Sequence, residues 1–373
     1  MPQSYAPLQA PHRLLFGPGP SMVAPRVYQA MSQPVVGHLD PFFFQTVEEV
    51  RALLGYAYST SNQFNIAVSG TGTSGMEAAV ANFTEAGDKF ALFTNGFFGD
   101  RIGEMARRHG AQLVTHSKPW GEPYDPQEAR EFIRRERPRI VAVVQAETST
   151  GMYNQTQAIC EAAHEVDAVT IVDCVTSLGG MPVLVDQNGI DIAYSCSQKG
   201  LGCPPGLSPM TVSPRALERL KARKSPVESF YLDLQLLDGF YTGHKYHHTA
   251  SATMFYAIRE GLAIVAEEGL EARWERHRLN HEAFVAGIEA MGLRMHVAQG
   301  DRLWTLNTPC VPAGVDDAKV RQFLLEKYSM EIAGGFGPLA GKVFRIGTMG
   351  YSSTAENVQL ILQALADAIR HAS

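Results

Sequence analysis

Residues 64–87, FNIAVSGTGTSGMEAAVANFTEAG, contain a short apolar run, a glycine-rich turn and a helical pattern in direct succession. The apolar run holds Phe, Ile and Val, which favour a buried strand, and it is too short for a helix. The residues from Met76 onward have the composition and length of a helix that covers a sheet. A strand joined to a helix by such a turn is the repeating unit of α/β proteins.

The same alternation continues along the chain. The further strand-like runs and the segments that follow them are KFALFTN (89–95) before DRIGEMARRHG (100–110), RIVAVVQ (139–145) before QTQAICEAAHEVD (155–167), and AVTIVDCVTS (168–177) before a longer loop. DIAYSCSQ (191–198) and SPMTVSP (208–214) extend the same sheet. Short apolar strands separated by helices are typical of parallel strands covered on both faces. The sequence therefore predicts an α/β fold with a mostly parallel, doubly wound sheet.

After about residue 250 the pattern changes. A helical pattern runs from 251 to 292, with Gly261 and Gly269 as expected break points, and short strand-like pieces and two further helices follow it. This pattern of helices and short strands predicts a smaller α+β domain at the C-terminal end. We expect an N-terminal arm over 1–14, a large domain over 15–265 and a small domain over 266–373.

Composition excludes several classes of partner. The net charge is −6 and the basic residues are dispersed, which argues against nucleic acid and anionic membranes. No apolar run is long enough to span a bilayer, and the first residues lack the pattern of a signal peptide. The five cysteines form no metal-binding or disulfide pattern, and the tract His-Lys-Tyr-His-His at 244–248 has no further ligand at zinc spacing. We therefore expect a cytoplasmic protein without a metal site.

The turn Ser69–Gly75 is the first candidate for chemistry. A glycine-rich turn before a helix exposes backbone N–H groups, and the partial positive charge of the helix N-terminus suits a phosphate. The same pattern also occurs where a helix only packs closely on a sheet, and both interpretations stay open. It matches neither a Walker motif nor a dinucleotide-binding fingerprint.

Asp173 and Lys199 each follow a predicted strand. Ligands of open α/β sheets bind at the carboxyl ends of the strands, although a strand-end Asp can also cap a turn. Lys199 stands in a run otherwise free of charge, and burial would lower its pKa and yield the free amine that attacks an aldehyde. Most lysines are solvated, so the order of the three features carries more weight than any one. A phosphate-binding turn, a carboxylate and an amine on one sheet suit a pyridine cofactor whose ring nitrogen is held protonated.

Six motifs identify a family: VSGTGTSGMEAA, TNGFFGDR, ETSTGM, VDCVTSLGG, SQKGLGCPPG and YHHTAS. With these motifs, and with LLFGPGP at 14–20 and FRIG at 344–347, the chain resembles the class V aminotransferases of fold type I along nearly its whole length. The resemblance is to their alanine–glyoxylate and serine–pyruvate group. It implies pyridoxal 5′-phosphate as the cofactor and a homodimer with active sites at the interface.

The resemblance also implies roles for single residues. Lys199 is similar to the Schiff-base lysine, and Asp173 to the partner of the pyridine nitrogen. The other implied cofactor contacts are Thr71, Gly72, Thr73 and Gln198 at the phosphate, Phe98 and Val175 on the two ring faces, Thr148 at the phenolic oxygen, and Tyr246 and Thr249 reaching the neighbouring subunit's phosphate. The implied substrate contacts are Arg345 at the α-carboxylate, with Gly19 and His38 nearby. The animal members have Trp where Phe98 stands and His where Thr73 stands.

The implied reaction moves the amino group of a small L-amino acid, alanine or serine, to glyoxylate or pyruvate by a ping-pong mechanism. Ureidoglycine–glyoxylate and aminoethylphosphonate aminotransferases are alternatives on the same fold, and Arg345 argues against the phosphonate because that substrate lacks an α-carboxylate. A cysteine desulfurase would need a reactive loop cysteine, whereas Cys310 lies in a strand-like context. A non-catalytic binding protein with this fold would have lost at least one of Lys199, Asp173 and Arg345.

Overall fold

The computed structural model describes residues 5–372. Its strands, in chain order, are β1 (Leu14–Leu15), β2 (Phe64–Ser69), β3 (Lys89–Thr94), β4 (Gln112–Ser117), β5 (Ile140–Val144), β6 (Ala146–Glu147), β7 (Met152–Tyr153), β8 (Val169–Asp173), β9 (Ile192–Tyr194), β10 (Leu207–Val212), β11 (Leu306–Asn307), β12 (Met330–Glu331), β13 (Ala333–Gly334) and β14 (Phe344–Gly347). Its α-helices are α1 (Pro25–Met31), α2 (Pro41–Tyr58), α3 (Gly72–Phe83), α4 (Phe97–Arg108), α5 (Pro126–Glu136), α6 (Gln157–Glu165), α7 (Pro214–Lys221), α8 (Leu234–Tyr241), α9 (Ala252–Glu268), α10 (Leu270–Ala290), α11 (Asp317–Tyr328) and α12 (Ala355–Ala372).

A seven-stranded sheet has the order β2–β10–β9–β8–β5–β3–β4. The five strands from β9 to β4 are mutually parallel, and β10 is antiparallel to both of its neighbours. Strands β5 and β8 are buried along their whole length, as expected where helices cover both faces. The predicted mostly parallel α/β sheet is confirmed. Strand β10 reverses direction because the loop 195–206 contains no helix that would carry the chain back for a parallel crossover.

Helix α2 is a feature that the sequence interpretation missed. Asp40 caps it by accepting a hydrogen bond from the backbone N–H of Phe42, and Pro41 occupies its first position. Its buried face includes Phe43, Val47 and Leu54, which follow helical spacing. The start signal and the periodicity were therefore both present in the sequence.

The two glycines of the long helical pattern behave differently. Gly269 has φ of 83° and ends α9, so the break expected there is confirmed. The break expected at Gly261 is wrong, because α9 continues through it. A Cβ on Gly261 would lie 2.1 Å from the Sγ of Cys203, so this glycine permits close packing of the helix on the loop after Lys199.

A second hydrophobic core lies toward the C-terminal end, where it joins α10, α11, α12 and β14. Phe16 belongs to this core although it is early in the chain, and β1 pairs in parallel with β12. The segment 17–20 therefore connects the second core with the main sheet. The division at 1–14, 15–265 and 266–373 remains a prediction.

Within residues 5–372, no helix is both long and apolar enough to cross a membrane. The same residues contain no cluster of three or more His, Cys, Asp or Glu side chains arranged for a metal ion. The histidines of the tract 244–248 instead contact aromatic rings: His244 stacks on Phe44 at 3.9 Å between ring centres, and His248 packs 5.0 Å from Tyr231.

Candidate active site

A cavity opens at the carboxyl end of the sheet, between the β2–α3 turn, the end of β8 and the loop after β9. Its lining residues are Thr71, Gly72, Thr73, Met76, Phe98, Arg101, Ala146, Thr148, Asp173, Val175, Gln198 and Lys199. Nine of the residues singled out in the sequence are in this set, and Met76, Arg101 and Ala146 were not singled out. The parallel sheet explains the grouping, because the carboxyl ends of its strands share one edge.

Lys199 is buried, and its environment favours a neutral amine. Burial lowers its pKa from the ordinary lysine value, and the positive charge of Arg345 lowers it further. The Nζ atom donates a hydrogen bond to the backbone carbonyl of Pro18. A Cβ on Gly19 would lie 2.7 Å from both Cδ and Cε of Lys199, and Gly19 has φ of 117°. The backbone of Gly19 thus lies against the Lys199 side chain, and the expected contact of Gly19 with the substrate remains a prediction.

Asp173 is the carboxylate of the cavity. Its Oδ1 accepts a hydrogen bond from the Val175 N–H at 2.8 Å, and its Oδ2 accepts one from the Tyr194 hydroxyl at 2.8 Å. Burial raises the pKa of Asp173 to about 6, although both hydrogen bonds and the charges of Lys199 and Arg101 oppose that rise. A cationic ring nitrogen would compensate the buried charge, so this carboxylate fits a protonated pyridine.

The turn before α3 has the properties of an anion site. Thr71 precedes the helix without capping it through its side chain, and no side chain among residues 5–372 accepts a hydrogen bond from the first N–H groups of the helix. A Cβ on Gly72 would make tight contacts of 3.1 Å with atoms of both Cys196 and Val175, so glycine favours this close approach of the backbone to the cavity wall. The Oε1 atom of Gln198 is buried and has no hydrogen-bond partner among residues 5–372. These three observations fit a phosphorylated ligand.

Arg345, on β14, is buried near the amine. Its Nε donates a hydrogen bond to the carbonyl of Gly334 at 2.7 Å, and its guanidinium carbon lies 3.8 Å from the centre of the Phe336 ring. Burial lowers its pKa to about 10, which leaves it cationic at neutral pH. Its two Nη atoms make no hydrogen bond within residues 5–372, so they are free for a ligand carboxylate.

Glu147 is a functional candidate that the sequence interpretation did not single out, although it begins the quoted motif ETSTGM. Its Oε2 accepts hydrogen bonds from the N–H groups of Phe98 and Gly99 at 3.1 and 3.2 Å. Its Oε1 accepts from the Ser149 hydroxyl at 2.6 Å, and the same hydroxyl accepts from the Phe97 N–H at 2.9 Å. Glu147 and Ser149 therefore cap α4 and fix the position of Phe98.

Thr148 lies in the cavity wall with its hydroxyl 3.0 Å from that of Thr176. The structure does not bring three other predicted residues into the cavity of the same chain. Tyr246 is 64 % exposed, Thr249 is exposed, and the His38 ring lies 5.4 Å from that of Tyr246. Their assignment to a neighbouring subunit's site, or to the substrate, remains a prediction.

Comparison with known proteins gives a consistent result. The model of the family described as "Aminotransferase class-V" matches residues 13–361. An alanine–glyoxylate aminotransferase of Drosophila melanogaster is 40% identical over 370 residues, which cover 98% of this chain and 94% of the relative. An (S)-ureidoglycine–glyoxylate transaminase of Bacillus subtilis is 40% identical over 384 residues, covering 98% and 92%.

Among solved structures, an alanine–glyoxylate aminotransferase from Nostoc sp. is 47% identical and superimposes with a TM-score of 0.97. The match covers 99% of this chain and 98% of that one. With the amine, the carboxylate and the anion-binding turn in one cavity, the chain belongs to the class-V aminotransferases of fold type I, which are transaminases with pyridoxal phosphate as their cofactor.

Proposed function

We propose that this transaminase moves the amino group of a small L-amino acid, alanine or serine, to glyoxylate (or pyruvate) by a ping-pong mechanism. The observation that carries the proposal is the buried, pKa-lowered amine of Lys199, which shares one cavity with Asp173 and feels the charge of Arg345. An amine, a carboxylate and a carboxylate-binding arginine are the groups that this reaction needs.

The cofactor would be held by three sets of groups. Lys199 would bond to its aldehyde carbon, Asp173 would face its ring nitrogen, and the turn Thr71–Thr73 with Gln198 would bind its phosphate. Phe98 and Val175 would contact the two ring faces, and Thr148 the phenolic oxygen. When bound, pyridoxal phosphate supplies an aldehyde that accepts an amino group and a ring that withdraws electrons from the substrate Cα.

The protein's own groups perform the remaining tasks. The amine of Lys199 can take a proton from the substrate Cα, because burial lowers its pKa and so favours the neutral form. Asp173 stabilises positive charge at the ring nitrogen through its own negative charge. Arg345 orients the substrate by binding its α-carboxylate with the free Nη atoms.

The surroundings of Arg345 favour a small donor. The Phe336 ring covers one face of the guanidinium and lies 5.1 Å from the Phe97 ring, measured between centres. We infer that these two rings limit the space beside a bound α-carboxylate. Alanine and serine fit such a restricted space better than donors with long side chains.

Ureidoglycine is the second candidate donor. The Bacillus subtilis relative named for it matches this chain at the same identity as the Drosophila relative named for alanine. Glyoxylate occurs in the names of both relatives, which supports glyoxylate as the acceptor.

We further propose a cytoplasmic homodimer. Tyr246 and Phe230 are 64 % and 69 % exposed, and they lie on one aromatic and histidine-rich face that a second copy would cover. All five cysteines are free thiols, which supports a reducing compartment.

A donor and acceptor screen tests the proposal. Purified enzyme is incubated with alanine, serine, ureidoglycine or aspartate, and with glyoxylate or pyruvate, and the amino-acid product is quantified. We expect glycine from glyoxylate with alanine or serine as donor, parallel lines in double-reciprocal plots, and no product with Lys199→Ala. Exclusive use of ureidoglycine would replace the alanine or serine assignment, and transfer from aspartate alone would contradict the small-donor proposal.

A further inference from the structure

Arg101 lines the cavity beside the turn before α3. It lies one turn into α4, and its guanidinium carbon is 5.0 Å from the centres of both the Phe97 and the Phe98 rings. Its Nη1 donates to the hydroxyl of Thr73, at the start of α3, over 3.4 Å. The two rings thus hold the cation beside the proposed phosphate-binding turn.

Within the described residues 5–372, the charge of Arg101 has no ion-pair partner. Two other arginines of α4, Arg107 and Arg108, both pair with Glu104. Arg101 has no carboxylate within ion-pair distance among residues 5–372, although its charge lowers the pKa of Asp173. A partly buried cation without a counter-ion is unfavourable, and an anionic ligand in the cavity would remove that cost.

We propose that Arg101 binds the phosphate group of the cofactor. A phosphate monoester carries about −1.5 to −2 charges at neutral pH, whereas a helix N-terminus supplies only about half a positive charge. Lys199 and Arg101 are the only cationic side chains among the lining residues, and Lys199 is committed to the aldehyde carbon. Arg101 is therefore the side chain that balances the phosphate charge. This inference rests on the proposed cofactor placement.

The test separates a phosphate contact from a ring contact. The apo form of the full chain is titrated calorimetrically with pyridoxamine 5′-phosphate and with pyridoxamine, neither of which needs the bond to Lys199. The variants are Arg101→Gln and Arg101→Lys, and the control is Arg108→Gln, which makes the same charge change on the same helix. Far-ultraviolet circular dichroism and thermal melting check that each variant folds.

For Arg101→Gln we expect affinity for the phosphorylated ligand to fall about ten- to a hundredfold, because a hydrogen bond to a charged group is lost. Affinity for pyridoxamine changes far less, since any shift of the Phe98 ring affects both ligands alike. Arg101→Lys retains part of the preference for the phosphate, and Arg108→Gln retains all of it.

If Arg101→Gln lowered the affinity for both ligands equally, the proposal would be overturned, and Arg101 would instead act on the pyridine ring or on Asp173. Unchanged affinities for both ligands would also overturn it. If the unaltered protein bound both ligands with equal affinity, the proposal that the turn Thr71–Thr73 binds the phosphate would itself be wrong. That result differs from a failure confined to Arg101.

Discussion

Lys199 and Gly19 come from distant parts of the chain, yet the backbone of Gly19 lies against the lysine side chain. The sequence pointed to Asp173 at the end of a strand and to Lys199 in the loop after a strand, and strand ends on one parallel sheet meet at one edge. It did not point to Arg101, because α4 has three arginines and only the fold shows which of them lines the cavity. Glu147 could not be recognised from the sequence either, since an acidic residue in the motif ETSTGM gives no sign that it will be buried.

The contact between Gly19 and Lys199 predicts the effect of Gly19→Ala. The new methyl would lie 2.7 Å from two carbons of Lys199, and the φ of 117° is strained for alanine, at a cost of about 1–3 kcal/mol. We expect the lysine to be displaced and the purified variant to retain much less cofactor, measured by its visible absorbance. Gly17→Ala is the control, because no atom lies within 4 Å of its new Cβ. Equal cofactor content in both variants would show that the contact is unimportant.

Helix α4 connects the cavity with the short strand β6, which ends at Glu147. Its first three N–H groups, those of Phe97, Phe98 and Gly99, bind Ser149 and Glu147, since the N-cap residue is Gly96 and has no side chain to offer. The helix itself was predictable from its periodicity. Its cap was not, because the capping groups lie about 50 residues further along the chain.

Glu147 should make stability depend on pH. Burial raises its pKa from 4.5 to about 7, so the folded state holds a proton that the unfolded state releases. The stability contribution is complete below about pH 4.5 and is lost as the pH rises through 7. Relative to Glu147→Gln, the unaltered apo protein should lose up to about 3 kcal/mol of unfolding free energy over that range.

Urea unfolding of both proteins on either side of this pH range measures the difference, and Asp173, present in both, cancels to first order. A difference independent of pH would mean that Glu147 does not titrate in this window.

At the scale of the whole molecule, the order of strands and helices was readable from the alternation of apolar runs, and two long-range features were not. Strand β10 runs antiparallel because the loop before it contains no helix for a parallel crossover. Phe16, near the start of the chain, packs in the second core. Each depends on contacts between segments far apart in sequence. Local propensity carries no information about such contacts.

The proposed homodimer predicts complementation between two inactive variants. One subunit carries Lys199→Ala and the other carries Tyr246→Ala with Thr249→Ala, and the mixed dimer is purified through two affinity tags. If Tyr246 and Thr249 act on the neighbouring site, one site receives both defects and the other none, so activity per dimer recovers to about half. Failure to recover, in a mixed dimer that has been isolated, would place these residues outside the neighbouring site.

In the proposed site, the amine of Lys199 bonds covalently to the cofactor. The most direct test is to reduce the pyridoxal-phosphate form of the purified protein with borohydride, digest it and locate the labelled residue by mass spectrometry. We expect the label on Lys199 alone in the unaltered protein, and no label in the Lys199→Ala variant. A label on another lysine, or no label in protein saturated with pyridoxal phosphate, would contradict it.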